Sequence, residues 1–189
     1  MEEAPGETVF FIIKGTVKIT KAFNDGTEII VDIIRDGEIF GEMSLIDLVT
    51  RSANAITQED SMLCWTGHNS FQNCMDKMPI IAQNLLATLT NRLRHTNEKL
   101  SMFAKLDVNG KVAWTLLDLL ERYGKELKTG EYLIPFRLTQ GDLAGLTLAS
   151  RERINHTIVN FKRLNFISID ENYYIKVINR EALTSLSNI

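Results

Sequence analysis

Arg51 stands nine residues after the tripeptide Phe40-Gly41-Glu42 and directly before Ser52. A guanidinium is a planar fork of donors that fits the oxygens of an anion, and a serine hydroxyl adds one more donor. Gly41 has no Cβ, so backbone amides there can approach a ligand closely. Glu42 can accept a hydrogen bond from a hydroxyl. The set suits a small molecule that carries an anion beside a hydroxyl. Arg51 alone reads more readily as a surface residue on a strand; the Phe-Gly-Glu before it reverses that balance in favour of binding. A second group, Ser150-Arg151-Glu152-Arg153, has a different chemistry. Ser150 can cap a helix. Arginine in its first turn can give a bidentate contact to guanine, and glutamate can accept from the amino group of cytosine. A third signal is Thr96, the one polar side chain in an apolar seam between Leu86 and Phe103. A polar seam residue either fixes the register of paired helices or touches a ligand at their interface.

The rest of the chemistry is sparse. His68, His95 and His156 are scattered and show no metal spacing, so no metal is expected. Two cysteines, Cys64 and Cys74, are too few for a disulfide framework or a four-thiolate site; Cys74 reads as a helix core residue. A roll-shaped enzyme would need clustered His and carboxylate ligands, and none are present, so the chain does not read as an enzyme. No run of about 18 apolar residues predicts a membrane span, and no signal peptide is visible, which makes the cytoplasm the default. The 189 residues carry a net charge of −3, unevenly placed. Residues 1–107 hold 10 basic and 15 acidic side chains (−5), and residues 108–189 hold 11 and 9 (+2). An acidic half joined to a mildly basic half suits a sensor attached to a nucleic-acid reader, although many two-domain enzymes are as asymmetric.

The elements that must position these residues follow from periodicity. Thr8–Lys14, Thr16–Phe23 and Glu28–Ile34 are rich in Val, Ile, Phe and Thr, and Asn24-Asp25-Gly26 is a tight-turn signal. Short strands over residues 8–67 predict a sandwich, roll or barrel. A short helix is expected at Phe71–Met78 and a long one from Pro79 to Phe103. The long helix carries the seam Ala82, Leu86, Leu89, Leu93, Thr96, Leu100 and Phe103, at alternating intervals of four and three. That is a heptad pattern, which wants a symmetry mate or, alternatively, a neighbour in an intramolecular bundle. Asp107 can cap a following helix that Gly124 ends, and 107–110 is the natural domain junction. Tyr132–Leu138 reads as a strand. Thr139 and Ser150 cap two successive short helices, and Phe166–Ile169 and Tyr173–Val177 form a hairpin around Asp170-Glu171-Asn172. Two helices and then a hairpin is the layout of a winged helix-turn-helix.

Three stretches in order resemble the CRP/FNR family, and together they span nearly the whole chain. Phe40-Gly41-Glu42-Met43 with Arg51-Ser52-Ala53 is similar to the phosphate-binding cassette of cyclic-nucleotide domains. Arg92-Leu93, Thr96-Asn97-Glu98-Lys99, Leu106-Asp107-Val108 and Gly110 resemble the central helix and hinge. Thr139, Asp142-Leu143-Ala144 and Ser150-Arg151-Glu152 resemble the helix-turn-helix. The resemblance implies an α+β chain: an N-terminal cyclic-nucleotide-binding-like β-roll (jelly roll) over 1–78, a dimerisation helix over 79–106 and a winged helix-turn-helix over 107–189. Relatives place a short helix and about two strands before the strand that here carries Val9-Phe10-Phe11-Ile12. The roll is therefore expected to lack its first strands, and any cysteine or haem ligands with them.

The implied function is an effector-gated, sequence-specific transcription regulator with no required cofactor. The effector would be cAMP or a related cyclic nucleotide, bound by Gly41, Glu42, Met43, Arg51, Ser52, Thr96 and Asn97. The family's adenine contacts are a Thr-Ser pair where this chain has Thr96-Asn97, and its cassette often has Gly or Pro where this chain has Leu48-Val49-Thr50. The DNA contacts would be Thr139, Gln140, Ser150, Arg151, Glu152, Arg153, Asn155, His156 and Lys162, with Arg163 a further phosphate candidate. His156 replaces a longer basic reader, and Leu148 stands where the family has a glycine with positive φ, so a different turn or some strain is expected there. The implied partners are double-stranded DNA with a two-fold symmetric site, a second copy of the chain, and RNA polymerase through the loop near Lys128–Leu133, with no membrane. A same-fold regulator sensing a redox, haem or metabolite signal, or needing no effector, remains an alternative, as does a cyclic-nucleotide module of another system. Cys64 lies where oxygen-sensing relatives have a cluster ligand, and also where relatives without a cluster have a cysteine.

Overall fold

A computed structural model describes residues 6–187. Residues 1–5, where the start of the roll would fall, lie outside the described residues. The chain forms two compact units, Met1–His95 and Thr96–Ile189.

The first unit is built on strands β1 (Thr8–Lys14), β2 (Thr16–Ala22), β3 (Glu28–Arg35), β4 (Ile39–Phe40), β5 (Asn54–Thr57) and β6 (Met62–Gly67). They make two antiparallel three-stranded sheets, ordered β4-β1-β6 and β3-β2-β5. Val9 and Ile12 of β1 stand three residues apart and so point to opposite faces of the strand. Val9 joins Leu45 and Phe71 in one core cluster, and Ile12 joins Val17 of β2 and Ile34 of β3 in another, with Val9, Ile12 and Val17 all at 1% exposure or less. The turn after β2 is as expected: Asp25 accepts a hydrogen bond from the amide of Thr27 (2.9 Å), and this bond holds its carboxyl below the ordinary carboxylate value. Between β4 and β5 lies a short helix, α1 (Glu42–Asp47), which the sequence does not signal. Its N-cap is Gly41 in the left-handed region and has no side-chain bond, so the usual start signal is missing. Helix α2 (His68–Lys77) starts three residues before the expected Phe71.

Helix α3 runs from Pro79 to Lys105, two residues past the predicted end. Its seam does not stay on one side. Leu85, beside the expected seam, is 8% exposed and joins Val9, Leu45 and Phe71 in a core cluster, and Leu89 of the seam packs against that cluster. Leu86, Leu93 and Leu100 are 65%, 64% and 60% exposed. One flank of the seam therefore anchors the helix to the first unit, and the other faces outward at seven-residue intervals.

In the second unit, helix α4 (Val108–Tyr123) starts at Asp107, whose side chain accepts from the amide of Gly110. Val112, Leu116 and Leu119 on its inner face are essentially excluded from water. Strand β7 (Lys125–Glu126) begins a four-stranded antiparallel sheet, ordered β7-β8-β10-β9, with β8 (Tyr132–Arg137), β9 (Ile167–Ile169) and β10 (Tyr174–Val177). The β8–β10 register shifts between Tyr174 and Lys176, opposite the stretch that holds Pro135. A bulge is where a residue without an N–H fits a strand. Helices α5 (Gln140–Thr147) and α6 (Arg151–Arg163) precede the hairpin, and α7 (Arg180–Ser187), not anticipated from the sequence, follows it.

Candidate functional site

The first site lies where β1, β4 and α1 meet. Gly41 has φ 81°, and a Cβ there would stand 2.4 Å from Arg51 Nη1 and 3.1 Å from the Thr8 carbonyl oxygen. Only glycine fits both the dihedral and the space. Arg51 donates from Nη1 to the Gly41 carbonyl (2.7 Å), and from Nη2 to the Thr8 carbonyl (2.5 Å) and hydroxyl (2.9 Å). It thus ties the cassette to β1. The stacked rings of Phe10 and Phe40 lie alongside, their centroids 5.0 Å apart.

Glu42, in the first turn of α1, is 3% exposed. Its Oε1 accepts from Arg92 Nη1 at 2.7 Å, and Arg92 also donates to the Ile39 carbonyl. Its Oε2 is buried and has no hydrogen-bond partner. A buried, unpartnered carboxylate oxygen costs stability unless it has an occasional partner, so it marks a place where a hydroxyl donor would be gained. Ser44, also buried, donates to the Thr50 carbonyl (3.3 Å) and closes the cassette loop. Met43 and Ser52 are exposed. Gly41, Glu42 and Arg51 are therefore brought together as expected. Thr96 and Asn97 lie on α3 in the second unit, both exposed. Arg92, named from the sequence only as part of the central-helix motif, and Thr8, named only as the start of a strand, are contributors to which the sequence reading gave no place in the site. Arg92 stands 50 residues from its carboxylate, so no local pattern pairs them.

The second site is the helix pair α5–α6. Thr139 accepts from the amide of Asp142 (3.1 Å), and Asp142 Oδ2 accepts in return from the amide of Thr139 (2.9 Å), a reciprocal capping box. Thr139 is thus a cap for α5, with its hydroxyl engaged by Asp142 as well (2.7 Å). Ser150 likewise caps α6, accepting from the amide of Arg153. Between them Leu148 keeps the left-handed conformation, with φ 54° and ψ 35°. The turn is unchanged and the leucine bears its strain. Ile154, Ile158 and Phe161 bury one face of α6, and Thr157 donates to Asn109 of α4 (2.8 Å). The opposite face holds Arg151, Glu152, Arg153, Asn155, His156 and Lys162, all exposed. Gln140 donates to Asn155 at 3.1 Å. Arg163 is bound to Asn160 on its own helix. At the hairpin the Arg137 guanidinium lies over the ring of Tyr173. Among the described residues no group of three or more His, Cys, Asp or Glu side chains could hold a metal ion, and no helix is long and apolar enough to cross a membrane.

Two family models match: the cyclic nucleotide-binding domain over residues 1–78 and the Crp-like helix-turn-helix domain over 110–186. The chain is 32% identical over 169 residues to the CRP-like cAMP-activated global transcriptional regulator of Mycobacterium tuberculosis, covering 89% of this chain and 75% of that protein. Its fold is similar to FixK2 from Bradyrhizobium japonicum, with TM-score 0.86 and 19% identity, over 100% of this chain and 91% of the other. It is also similar to the c-di-GMP responsive global regulator CLP of Xanthomonas campestris, with TM-score 0.76 and 24% identity, over 94% and 86%. With a match to the cyclic nucleotide-binding domain ahead of one to the Crp-like helix-turn-helix domain, and a relative matched over most of its length, the chain belongs to the CRP/FNR family of DNA-binding transcription regulators, not of enzymes.

Proposed function

We propose that the roll binds a cyclic nucleotide, cAMP in the first instance, and that binding gates DNA recognition by a homodimer. The single observation that carries this reading is the orphaned Oε2 of Glu42, held by Arg92 beside the Arg51–Gly41 cradle. A ribose 2′-hydroxyl would satisfy that oxygen, and the phosphodiester would meet Arg51, the Gly41 backbone and Ser52. Thr96 and Asn97 would meet the base, with Asn97 able both to donate and to accept. The cAMP-activated relative supports the choice of nucleotide. Residues 1–78 would sense, 79–106 would dimerise and 107–189 would read DNA. The outward leucines Leu86, Leu93 and Leu100 support a helix-to-helix dimer. Its two copies of α6 would enter successive major grooves of a two-fold symmetric site, about 34 Å apart. Arg151, Glu152, Asn155 and His156 would face base edges, Arg153 and Lys162 would face phosphates, and Gln140 would belong to the same DNA-facing surface. RNA polymerase would meet the loop near Lys128–Leu133. A ligand shifts such a balance only by its difference in affinity for the two states.

Calorimetric titration with cAMP, cGMP and c-di-GMP tests the effector. Micromolar cAMP binding that Arg51→Leu abolishes is the expected result. A second reading has its own support: three of Arg51's hydrogen bonds already go to Thr8 and Gly41, as in an arginine whose task is to close the roll. No binding of any nucleotide, with operator binding intact, would favour that reading: a regulator of another effector or of none.

A further inference from the structure

We propose that the first turn of α5 is a seat for the reading side chains of α6, so that Gln140 and Gly141 help set which DNA sequence is selected. The inference rests on α6 being the recognition helix. Arg151 and Asn155 are four residues apart and share one helical face. Each meets α5 at a different residue. Gln140 Nε2 donates to Asn155 Oδ1 at 3.1 Å, across 15 residues of sequence. The Arg151 guanidinium lies over Gly141, where a Cβ would stand 3.3 Å from Nη2 and 3.7 Å from Cζ. Gln140, Arg151 and Asn155 are all exposed, so these placements are not forced by a core.

Exposed long side chains lose rotamer freedom when they engage a base, and prior placement reduces that loss. Asn155 has a further need. Adenine presents an acceptor beside a donor in the major groove, and an asparagine matches it only with its oxygen and nitrogen facing the right way. The bond from Gln140 ties the two amides together, so the Asn155 amide can turn over only if that of Gln140 turns with it. An amide free to flip would also meet the paired acceptors of guanine through its nitrogen. Gln140 is thereby a positioning residue for the base contact of Asn155. Gly141 is one for Arg151, because a methyl group there would push the guanidinium aside by a few tenths of an ångström.

The competing role for Gln140 is a phosphate contact, which fixes register but carries no sequence information. Selection from a randomised duplex pool by the full chain, with saturating cAMP and without nucleotide, separates the two. Affinities for the selected site and its single-base variants would follow at several salt concentrations. We expect Gln140→Ala and Asn155→Ala each to lose about tenfold discrimination at the same base pair of each half-site, and the double variant to lose no more. The salt slope should stay that of the parent. Gly141→Ala should keep or raise the melting midpoint, since alanine is the better helix former, and should lose discrimination at the base pair that Arg151→Ala affects. Unchanged preference in Gln140→Ala, or a uniform loss over all sequences with a shallower salt slope, would overturn the proposal. A parent protein that selects no sequence in either condition would instead refute the recognition-helix reading beneath it.

Discussion

Glu42 has almost no water around it, and the Arg92 guanidinium bonded to its Oε1 compensates its charge. Taking a carboxylate out of water is expensive, and removing only its partner leaves that cost uncovered. Arg92 is itself 30% exposed, so part of its field is already screened, which tempers the effect. Arg92→Met is expected to destabilise the chain by about 3 kcal/mol, at the low end for a broken buried pair. Glu42→Gln in that background should recover most of the loss, because it removes the orphaned charge while keeping the shape. Urea unfolding of the two single variants and the double variant measures this as a coupling energy. A purely additive double variant would mean the pair carries no interaction. The same substitutions report on function: Glu42→Gln keeps an acceptor oxygen but can turn its amide toward the ribose, so its cAMP affinity should fall while its fold persists.

At the scale of elements, Leu148 shows how local and global demands conflict. The turn between α5 and α6 needs a left-handed residue, and a leucine there costs about 1–2 kcal/mol against a glycine's freedom. With its side chain 55% exposed, little burial offsets that cost. Leu148→Gly should therefore stabilise the chain by about 1 kcal/mol, less than the full strain because glycine also loses more entropy on folding. A rise in the urea midpoint at unchanged m-value is the sign to look for, and a fall would show that the leucine packs better than its exposure suggests. The turn also shows what the sequence could convey. Caps were legible because Thr139, Ser150 and Asp107 carry their signal within three residues. Strands β1 to β3 were legible because their richness in Val, Ile, Phe and Thr and the Asn24-Asp25-Gly26 turn are local signals. Helix α1 was not, since it has six residues and a glycine cap without a side-chain bond. The α3 seam was legible as apolar but not as two faces. Periodicity put Leu86, Leu89 and Leu93 on one stripe and could not say that Leu89 packs on the roll, with Leu85 from outside the stripe, while Leu86 and Leu93 do not. In the site, motif spacing pointed to Gly41, Glu42 and Arg51, whereas Arg92 and Thr8 come together only through the fold, 50 and 43 residues from their partners.

For the whole molecule, the outward leucines of α3 and the reading face of α6 form one argument. A single helix-turn-helix contacts one half-site, and one half-site is too weak to compete with the non-specific DNA around it. Two readers held together gain the second half-site as an intramolecular event, which raises affinity by about 10²–10⁴ without new contacts. If Leu86, Leu93 and Leu100 hold the copies together, Leu93→Lys should break the dimer and leave each chain folded. Its side chain is 64% exposed, and substitutions at such positions shift stability by about 0.5 kcal/mol or less. Sedimentation should then show a monomer with a parental melting curve, and binding to a two-fold site should fall about 100-fold or more. Binding to an isolated half-site should hardly change. Leu85→Ala is the opposite control. It is 8% exposed in the core of the first unit, and its loss should cost about 2–5 kcal/mol while the dimer survives. A Leu93→Lys protein that stays dimeric would move the interface off this flank of α3. The three leucines would then need another cover, because an apolar stripe repeated every seven residues does not stay in water without one.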